Sequence, residues 1–539
     1  MPELAAANPQ PASAYPQWIE PTLQITWGRD PLGLQTITID RILPKLVPGI
    51  LALSRRARYF SFYPFLLREY REQRLAPSNR ALSDFIKARE FEYAVAVQLC
   101  PRGCGTTAAA SVGTQRATPA ARPVAEGAPL SRSYSVESHM GGYGLYYRTP
   151  LVDLGVVAPM GTALGENPTP VDLITEQGVA LAEAFRAAIA DTAYYKRHMR
   201  GVEPIPAEVL RELSERACLC RLSEAPGEQG TIRRTMLPVQ ERGPDDVQRR
   251  RSFAFFLRLV EQAPAVAEDE PTFRRAIWRA LNEAKADRSA WTNTAAQWAA
   301  LAAKEYLQEG FSSIWSMSCR LGHATQPTEG FRPDELRRFI RTHVVGSGVL
   351  RLEREVAYAP EVPTVTFAAA VATASRETDL EDLRGWAQRE DTAVAGLALL
   401  FALVRRLPDG GTMPSGWLDI GLQRSNHQPG LLGFARLLAD HLADAPSLAD
   451  TLEWLVSRYI IDAHEAIAYS KLPNYTFRFR WERGRLRFFD PGYSRVDITD
   501  NRRDALSRLS HDLGLWERSP GEPARLTELG GAFVASVFR

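Results

Sequence analysis

Between residues 252 and 467 large apolar side chains return at intervals of three and four, and that spacing restricts this part of the chain to helices with one buried stripe each. The pattern predicts helices over 252–260, 272–284, 293–319, 335–342, 366–374, 380–387, 391–406, 431–442 and 447–467. Gly310 is expected to kink the third. Ser447 and Asp450 form a capping pair for the last. Strand signals are few and no repeat of fixed period is seen, so the middle of the chain reads as a helical bundle or array. The longest apolar run, 393–404, has the length of a core helix rather than a membrane span.

A second feature is local charge. The whole chain of 539 residues carries 65 basic and 63 acidic side chains, yet no acid lies between Asp40 and Glu69. Within that stretch Arg41, Lys45, Arg55, Arg56, Arg58 and Arg68 accompany Tyr59, Phe60, Phe62, Tyr63 and Phe65. Ser54 is placed to cap a following helix, and Pro64 to end that helix or begin the next. Two readings stay open: a basic cluster that faces an anion, or the solvated face of a core helix.

The same stretch carries a family resemblance. Val47-Pro48-Gly49, then Arg56-Ala57-Arg58-Tyr59-Phe60-Ser61-Phe62-Tyr63-Pro64, resembles the N-terminal signature of a group of bacterial proteins of undetermined function. Members of that group tend to be encoded near restriction and other anti-phage defence genes. The likeness covers about 50 residues and brings no catalytic residues with it.

Two distant segments share one plan. Leu154-Gly155-Val156-Val157 closes a helix and is followed by a Gly/Pro-rich excursion, then by Ile174-Thr175-Glu176-Gln177-Gly178 and a helix over 179–189. Gly514-Leu515 closes a helix over 505–513, and Leu526-Thr527-Glu528-Leu529-Gly530 leads into a helix over 532–537. Glycine takes the left-handed cap, the next apolar residue begins a wing strand, and threonine caps the final helix. The plan resembles the second half of winged helix-turn-helix domains of bacterial transcriptional regulators. The fold class expected is therefore mainly α, with winged-helix-like units and short β-hairpins near both ends.

The clearest hairpin is Phe477-Arg478-Phe479-Arg480-Trp481, a turn at Arg483-Gly484, and Arg485-Leu486-Arg487-Phe488-Phe489. It predicts Trp481 opposite Leu486, Phe479 opposite Phe488, and Arg480 opposite Arg487 on the other face. Like charges so placed repel and call for an anion or a nearby carboxylate. Arg502, Arg503 and Arg508 fall on or beside the helix that would read a duplex. The candidate nucleic-acid-binding residues are Arg55, Arg56, Arg58, Arg478, Arg480, Arg485, Arg487, Arg502, Arg503 and Arg508.

No catalytic residue is assigned. Gly141-Gly142-Tyr143-Gly144 and Asp409-Gly410-Gly411 lack the Lys-Ser/Thr of a phosphate-binding loop. His464-Glu465 has no second histidine four residues on, and His464 reads as a core or surface residue. Cys100 with Cys104, and Cys218 with Cys220, are four of five cysteines and could in principle supply four thiolates to one zinc; their spacings are not those of a zinc knuckle and the pairs lie more than about a hundred residues apart, so neither metal nor cofactor is expected. Asp490, Asp497 and Asp500, with Lys471 nearby in sequence, could bind a divalent cation for phosphodiester cleavage, but the acid and Glu-x-Lys spacing of a metal-dependent nuclease core is missing, and Asp500 reads better as the cap of the helix that follows.

Length gives about 3 domains as a prior. The boundaries expected are a disordered tail at 1–22, a helical domain at 23–200 with a flexible loop at 103–133, a helical middle at 201–470, and a hairpin with winged helix at 471–539. No charged and then apolar leader is seen at the N-terminus, which predicts a cytoplasmic protein off the membrane. The function expected is a non-catalytic duplex-DNA-binding component of a bacterial anti-phage defence or DNA-processing system, with DNA and a protein of a multi-gene system as partners. The alternatives are a kleisin-like linker that partners an ATPase, and a nuclease.

Overall fold

The computed structural model describes residues 30–103, 111–164, 167–201, 203–283, 289–326, 328–344, 379–390, 393–407, 430–444, 446–472, 475–489 and 500–538. The 1–22 tail, the helix at 366–374, Asp409 to Gly411, and Asp490 and Asp497 lie outside them.

The described chain is mainly helical. In order it forms α1 (Tyr59–Glu72), α2 (Asn79–Gln98), α3 (Thr114–Ala125) and α4 (Arg148–Asp153). The strand pairs β1 (Val157–Ala158) with β4 (Leu173–Ile174) and β2 (Ala163–Leu164) with β3 (Asn167–Pro168) follow. Then come α5 (Glu176–Ile189), α6 (Ala207–Ala217), α7 (Pro226–Met236), α8 (Pro244–Gln262), α9 (Glu270–Glu283) and α10 (Ala290–Thr325). Helices α11 (Pro333–Phe339), α12 (Leu380–Glu390), α13 (Ala393–Arg406), α14 (Leu431–Ala443), α15 (Leu448–Leu455) and α16 (Asp462–Ser470) precede a hairpin of β5 (Phe479–Glu482) and β6 (Arg485–Phe488). The chain closes with α17 (Arg503–Asp512), β7 (Trp516–Glu517), β8 (Arg525–Leu526) and α18 (Glu528–Val537). No helix among the described residues is long and apolar enough to cross a membrane.

Contacts group the chain into two interrupted units: residues 1–42 with 296–499, and 43–295 with 500–539. The sequence-based boundaries at 200 and 470 fall at none of the three breaks, 42/43, 295/296 and 499/500.

In the second of these units the core is the aromatic stripe of α1. Tyr59, Phe60, Phe62, Tyr63, Phe65 and Leu66 are all buried, and Phe62 stacks on Tyr93 of α2 with ring centres 4.5 Å apart. Burial of both faces explains why Pro64 neither ends nor begins a helix but sits inside α1; packing outweighs the one backbone hydrogen bond it forfeits. Ser54 caps nothing, and its hydroxyl donates to the Tyr146 carbonyl at 2.6 Å. The stretch 103–133 is not one flexible loop. It contains α3, whose small stripe of Ala117, Ala121 and Val124 is buried and packs on α2; Ala and Pro content hid a helix that needs only small side chains for close approach. Cys104 falls in the part of that stretch outside the described residues.

The two segments of shared plan have one geometry. Gly155 and Gly514 are left-handed, with φ of 70° and 74°. The next amide reaches back five residues in each, Val156 to Leu151 and Leu515 to Ser510, which closes a Schellman turn. Val157 pairs with Ile174, and Trp516 with Leu526. Thr175 and Thr527 cap the last helix by accepting from the amides of Gly178 and Gly530.

The likeness extends beyond these corners. Helix α1, with buried Phe60-Ser61-Phe62-Tyr63, packs on β4 and α5 just as α8, with buried Phe253-Ala254-Phe255-Phe256, packs on β8 and α18. The unit is thus built of two similar halves, and residues 296–499 interrupt the second half in sequence.

In the other unit, elements pack on α10 from Ala296 onward. Helix α10 runs through Gly310 without a break, and a Cβ there would meet Leu400 at 2.6 Å, while one on Gly396 of α13 would meet the Gly310 carbonyl oxygen at 2.4 Å. Two glycines let these helices touch backbone to backbone. Ser447 and Asp450 make the capping box of α15.

Candidate nucleic-acid interface

The β5–β6 hairpin has the register its faces require: Phe479 opposite Phe488, Arg480 opposite Arg487, Trp481 opposite Leu486. Arg483 and Gly484 turn the chain with φ of 50° and 77°, the paired positive values of a two-residue hairpin turn. The inner face is tied to α10, where Phe479 lies 5.3 Å from Trp315 and Phe488 fills the place a side chain on Gly322 would occupy. Phe331 and Leu486 exchange backbone hydrogen bonds of 2.9 and 2.8 Å, which adds a third segment beside β6.

Five arginines and a single carboxylate occupy 477–489. That carboxylate, Glu482, takes both opposed guanidiniums: Arg480 on one oxygen and Arg487 on the other, the latter at 2.8 Å. The repulsion across the strand pair is relieved from within. Arg480 also lies over the rings of Tyr475 and Phe477 at 5.5 and 5.4 Å, and Arg487 over Phe489 at 5.8 Å. Arg483 is exposed at the turn and has no ion-pair partner among the described residues. Arg485 is anchored on the Gly330 carbonyl at 2.9 Å and on Glu335 at 3.3 Å. Arg478 is buried and leaves the candidate surface.

His464 is core. Its Nε2 accepts the Arg478 amide at 2.8 Å, so its proton sits on Nδ1 and is donated to the Pro31 carbonyl at 3.1 Å. Burial, reinforced by the charges of Arg478 and Lys471, pushes it down to about 3.

The first basic cluster is turned inward. Arg58 is 0% exposed; its guanidinium holds Glu228 at 2.7 and 3.2 Å and the Cys218 carbonyl at 2.8 Å. Burial alone would weaken its charge, and Glu228 more than restores it. Arg56 takes Asp512 at 2.9 and 3.2 Å and the Leu219 carbonyl at 3.1 Å. Burial would raise the Asp512 carboxyl, but Arg56 holds it below the usual carboxylate range. Arg55, half-buried, pairs with Asp504 at 2.9 Å and Asp500 at 3.5 Å. A phosphate-facing role for Arg58 is corrected accordingly, since it is fully enclosed; the acids that hold Arg58 and Arg56 come from α7 and α17, far away in sequence, and Arg56 stays partly exposed beside its partner Asp512.

On α17, Arg502 is buried with φ of 71° and also leaves the surface. Arg503 donates to the Ala267 carbonyl at 2.8 Å, and Arg508 pairs with Asp504 one turn back at 3.0 Å. The adjoining β7–β8 hairpin matches Arg518 to Glu268 and Arg525 to Glu517, so this corner is charge-balanced. A cleft of about 490 Å³ lies beside it, lined in part by Arg56, Cys220, Arg503, Arg508, His511 and Trp516.

The Gly141-Gly142 pair serves a buried carboxylate. Glu90 accepts from the Gly142 and Tyr143 amides at 2.9 and 3.0 Å and from the Tyr63 hydroxyl at 2.5 Å. Burial pushes its pKa up despite these donors. A side chain on Gly142 would collide with Val112 at 1.9 Å.

Among the described residues, the group with metal-ligand spacing is Cys100, Cys218 and Cys220. Spacing alone argues against bringing them together; the packing of two helix ends does so. Asp500, the described member of the nuclease carboxylates, accepts the Arg502 amide at 2.8 Å and pairs with Arg55.

Compared with known proteins, the chain matches no family model, no curated protein and no solved structure.

Proposed function

We propose that the protein is a non-catalytic nucleic-acid-binding component that grips the phosphate backbone with the outward face of the β5–β6 hairpin. The observation that carries this reading is the row of Arg480, Arg487 and exposed Arg483 against one carboxylate, two of them resting on aromatic rings. Such a ribbon supplies backbone contacts that are indifferent to sequence, and its rings offer stacking surfaces to unpaired bases. A setting in anti-phage defence rests on the likeness of the Val47–Pro64 stretch alone. Changing Arg480, Arg483 and Arg487 together to Gln should weaken duplex binding and flatten the salt dependence by about 0.9 in log–log slope per lost phosphate contact. Equal affinity and equal slope in the variant would discard this surface.

The charge balance of the α17 corner favours a second role for the two corners, which we read as wing halves of winged-helix units. A neutral wing and helix suit a protein partner better than a polyanion, as in a linker subunit that docks on an ATPase. Loss of such a partner on substitution of the corners, with DNA binding retained, is the outcome that separates the two roles.

A further inference from the structure

We propose that Cys100, Cys218 and Cys220 form a three-thiolate zinc site. Cys100 follows the C-terminus of α2, Cys218 caps the C-terminus of α6, and Cys220 sits in the 3-10 turn Leu219–Glu224. Three thiolates at about 2.3 Å from a tetrahedral ion stand roughly 3.8 Å apart. The Cys100 and Cys220 sulfurs are 3.7 Å apart, and all three lie within 4.8 Å of one another. A disulfide needs sulfurs at about 2.05 Å; the separation is that of two thiols in weak hydrogen-bond contact, and it matches the edge of a thiolate polyhedron around zinc.

The surroundings are pre-formed. The Arg58 guanidinium holds the Cys218 carbonyl at 2.8 Å, the Tyr93 hydroxyl holds the Ala217 carbonyl at 2.7 Å, and Arg56 holds the Leu219 carbonyl at 3.1 Å. These bonds fix the backbone of Cys218-x-Cys220 before any ion arrives, which lowers the ordering cost of binding. Electrostatics favour a complex over bare thiolates. Two helix C-termini place partial negative charge at the cluster, which opposes an isolated thiolate and attracts a cation. The zinc tris-thiolate carries a net charge of minus one. Binding releases the three thiol protons and moves no electrons; the fourth position is left for water or an added donor. The ion would tie the end of α2 to the end of α6, beside the carbonyl that anchors Arg56.

The test uses the full chain, purified without chelator and dialysed against metal-free buffer. Elemental analysis should find about one zinc per chain, and replacement by cobalt should produce thiolate-to-cobalt charge-transfer absorption. Cys220→Ala should lower retained zinc at least about tenfold, whereas Cys319→Ala, on α10 in the other unit, should retain it. If Cys220→Ala fails to fold, the cobalt spectrum of the unaltered chain decides. A chain that takes up neither zinc nor cobalt, a Cys100–Cys220 disulfide in the chain as isolated, or full zinc retention in both Cys220→Ala and Cys218→Ala overturns the proposal.

Discussion

Arg56 and Asp512 form a two-pronged ion pair, at 2.9 and 3.2 Å, between the segment that leads into α1 and the last residue of α17. Asp512 precedes Leu513-Gly514 in the second corner as Asp153 precedes Leu154-Gly155 in the first. Burial and the neighbouring charge of Asp245 raise the Asp153 carboxyl, with Arg249 on α8 a weaker opposing influence. Arg249 itself pairs with Asp246 on its own helix, so the direct tie is the one made by Asp512, which joins the entry of α1 to the end of α17.

Burial of the Arg56–Asp512 and Arg58–Glu228 pairs sets the cost of losing one partner. Asp512→Asn or Arg58→Gln should destabilise the unit by about 3–5 kcal/mol, because each strands a buried charge. Arg55→Gln, whose pairs are half-exposed, should cost within about 0.5 kcal/mol. Chemical denaturation of the three variants checks the order, and equal losses would contradict it.

What could be read from the residues follows how far each signal reaches along the chain. The Thr-Glu-x-Gly caps, the Schellman glycines and the register at Arg480 and Arg487 are settled within a few residues, and all were legible. Glu228 and Asp512 lie 170 and 456 positions from the arginines they neutralise. No local pattern announces such partners, so Arg56 and Arg58 looked like a free cationic face. The thiols illustrate the same limit: Cys100 and Cys220 meet only because α2 packs on α6. Helix α3 escaped because its buried stripe is made of alanines.

Glu482 takes both opposed arginines and so relieves the repulsion across the hairpin. Glu482→Gln should cost about 0.2–1 kcal/mol of stability, the usual scale of a cross-strand pair. If the hairpin holds phosphates, the same variant should bind duplex more tightly at low salt, since two guanidiniums lose their internal competitor. Fluorescence anisotropy at several salt concentrations reads this, and weaker binding by a folded variant would count against the interface.

Close backbone approach at the corners gives a steric prediction. A Cβ on Gly530 would lie 1.9 Å from the Leu515 carbonyl oxygen, and one on Gly178 2.6 Å from that of Val156. Gly530→Ala and Gly178→Ala should each destabilise by about 1–3 kcal/mol as the corner is forced open. Gly531→Ala, with nothing within 4 Å of its Cβ, should instead stabilise α18 by up to about 1 kcal/mol. Melting temperatures of the three variants in one buffer make the comparison.

His464 supplies a pH dependence whose sign follows from its folded state. The native ring is neutral, with its pKa pushed down to about 3 by burial, whereas in the unfolded chain it titrates near about 6.5. Between those values the unfolded state holds the extra proton, so local stability is complete above about pH 6.5 and falls as the pH drops, by at most about 1.4 kcal/mol per unit. The Nε2 lone pair lost on protonation is the acceptor of the Arg478 amide, which places the effect at the entry to β5. Hydrogen exchange in a peptide spanning 475–489, corrected for the intrinsic pH dependence of exchange, should therefore quicken below about pH 6.5, approaching about tenfold per pH unit. A peptide from α1, whose hydrogen bonds do not involve this ring, serves as the reference. In His464→Gln the excess acid sensitivity of the β5 peptide should disappear even if the substitution loosens packing against Trp315, which lies 4.7 Å from the imidazole. Equal acid sensitivity of the two peptides in the unaltered chain would mean that His464 is not the group that titrates.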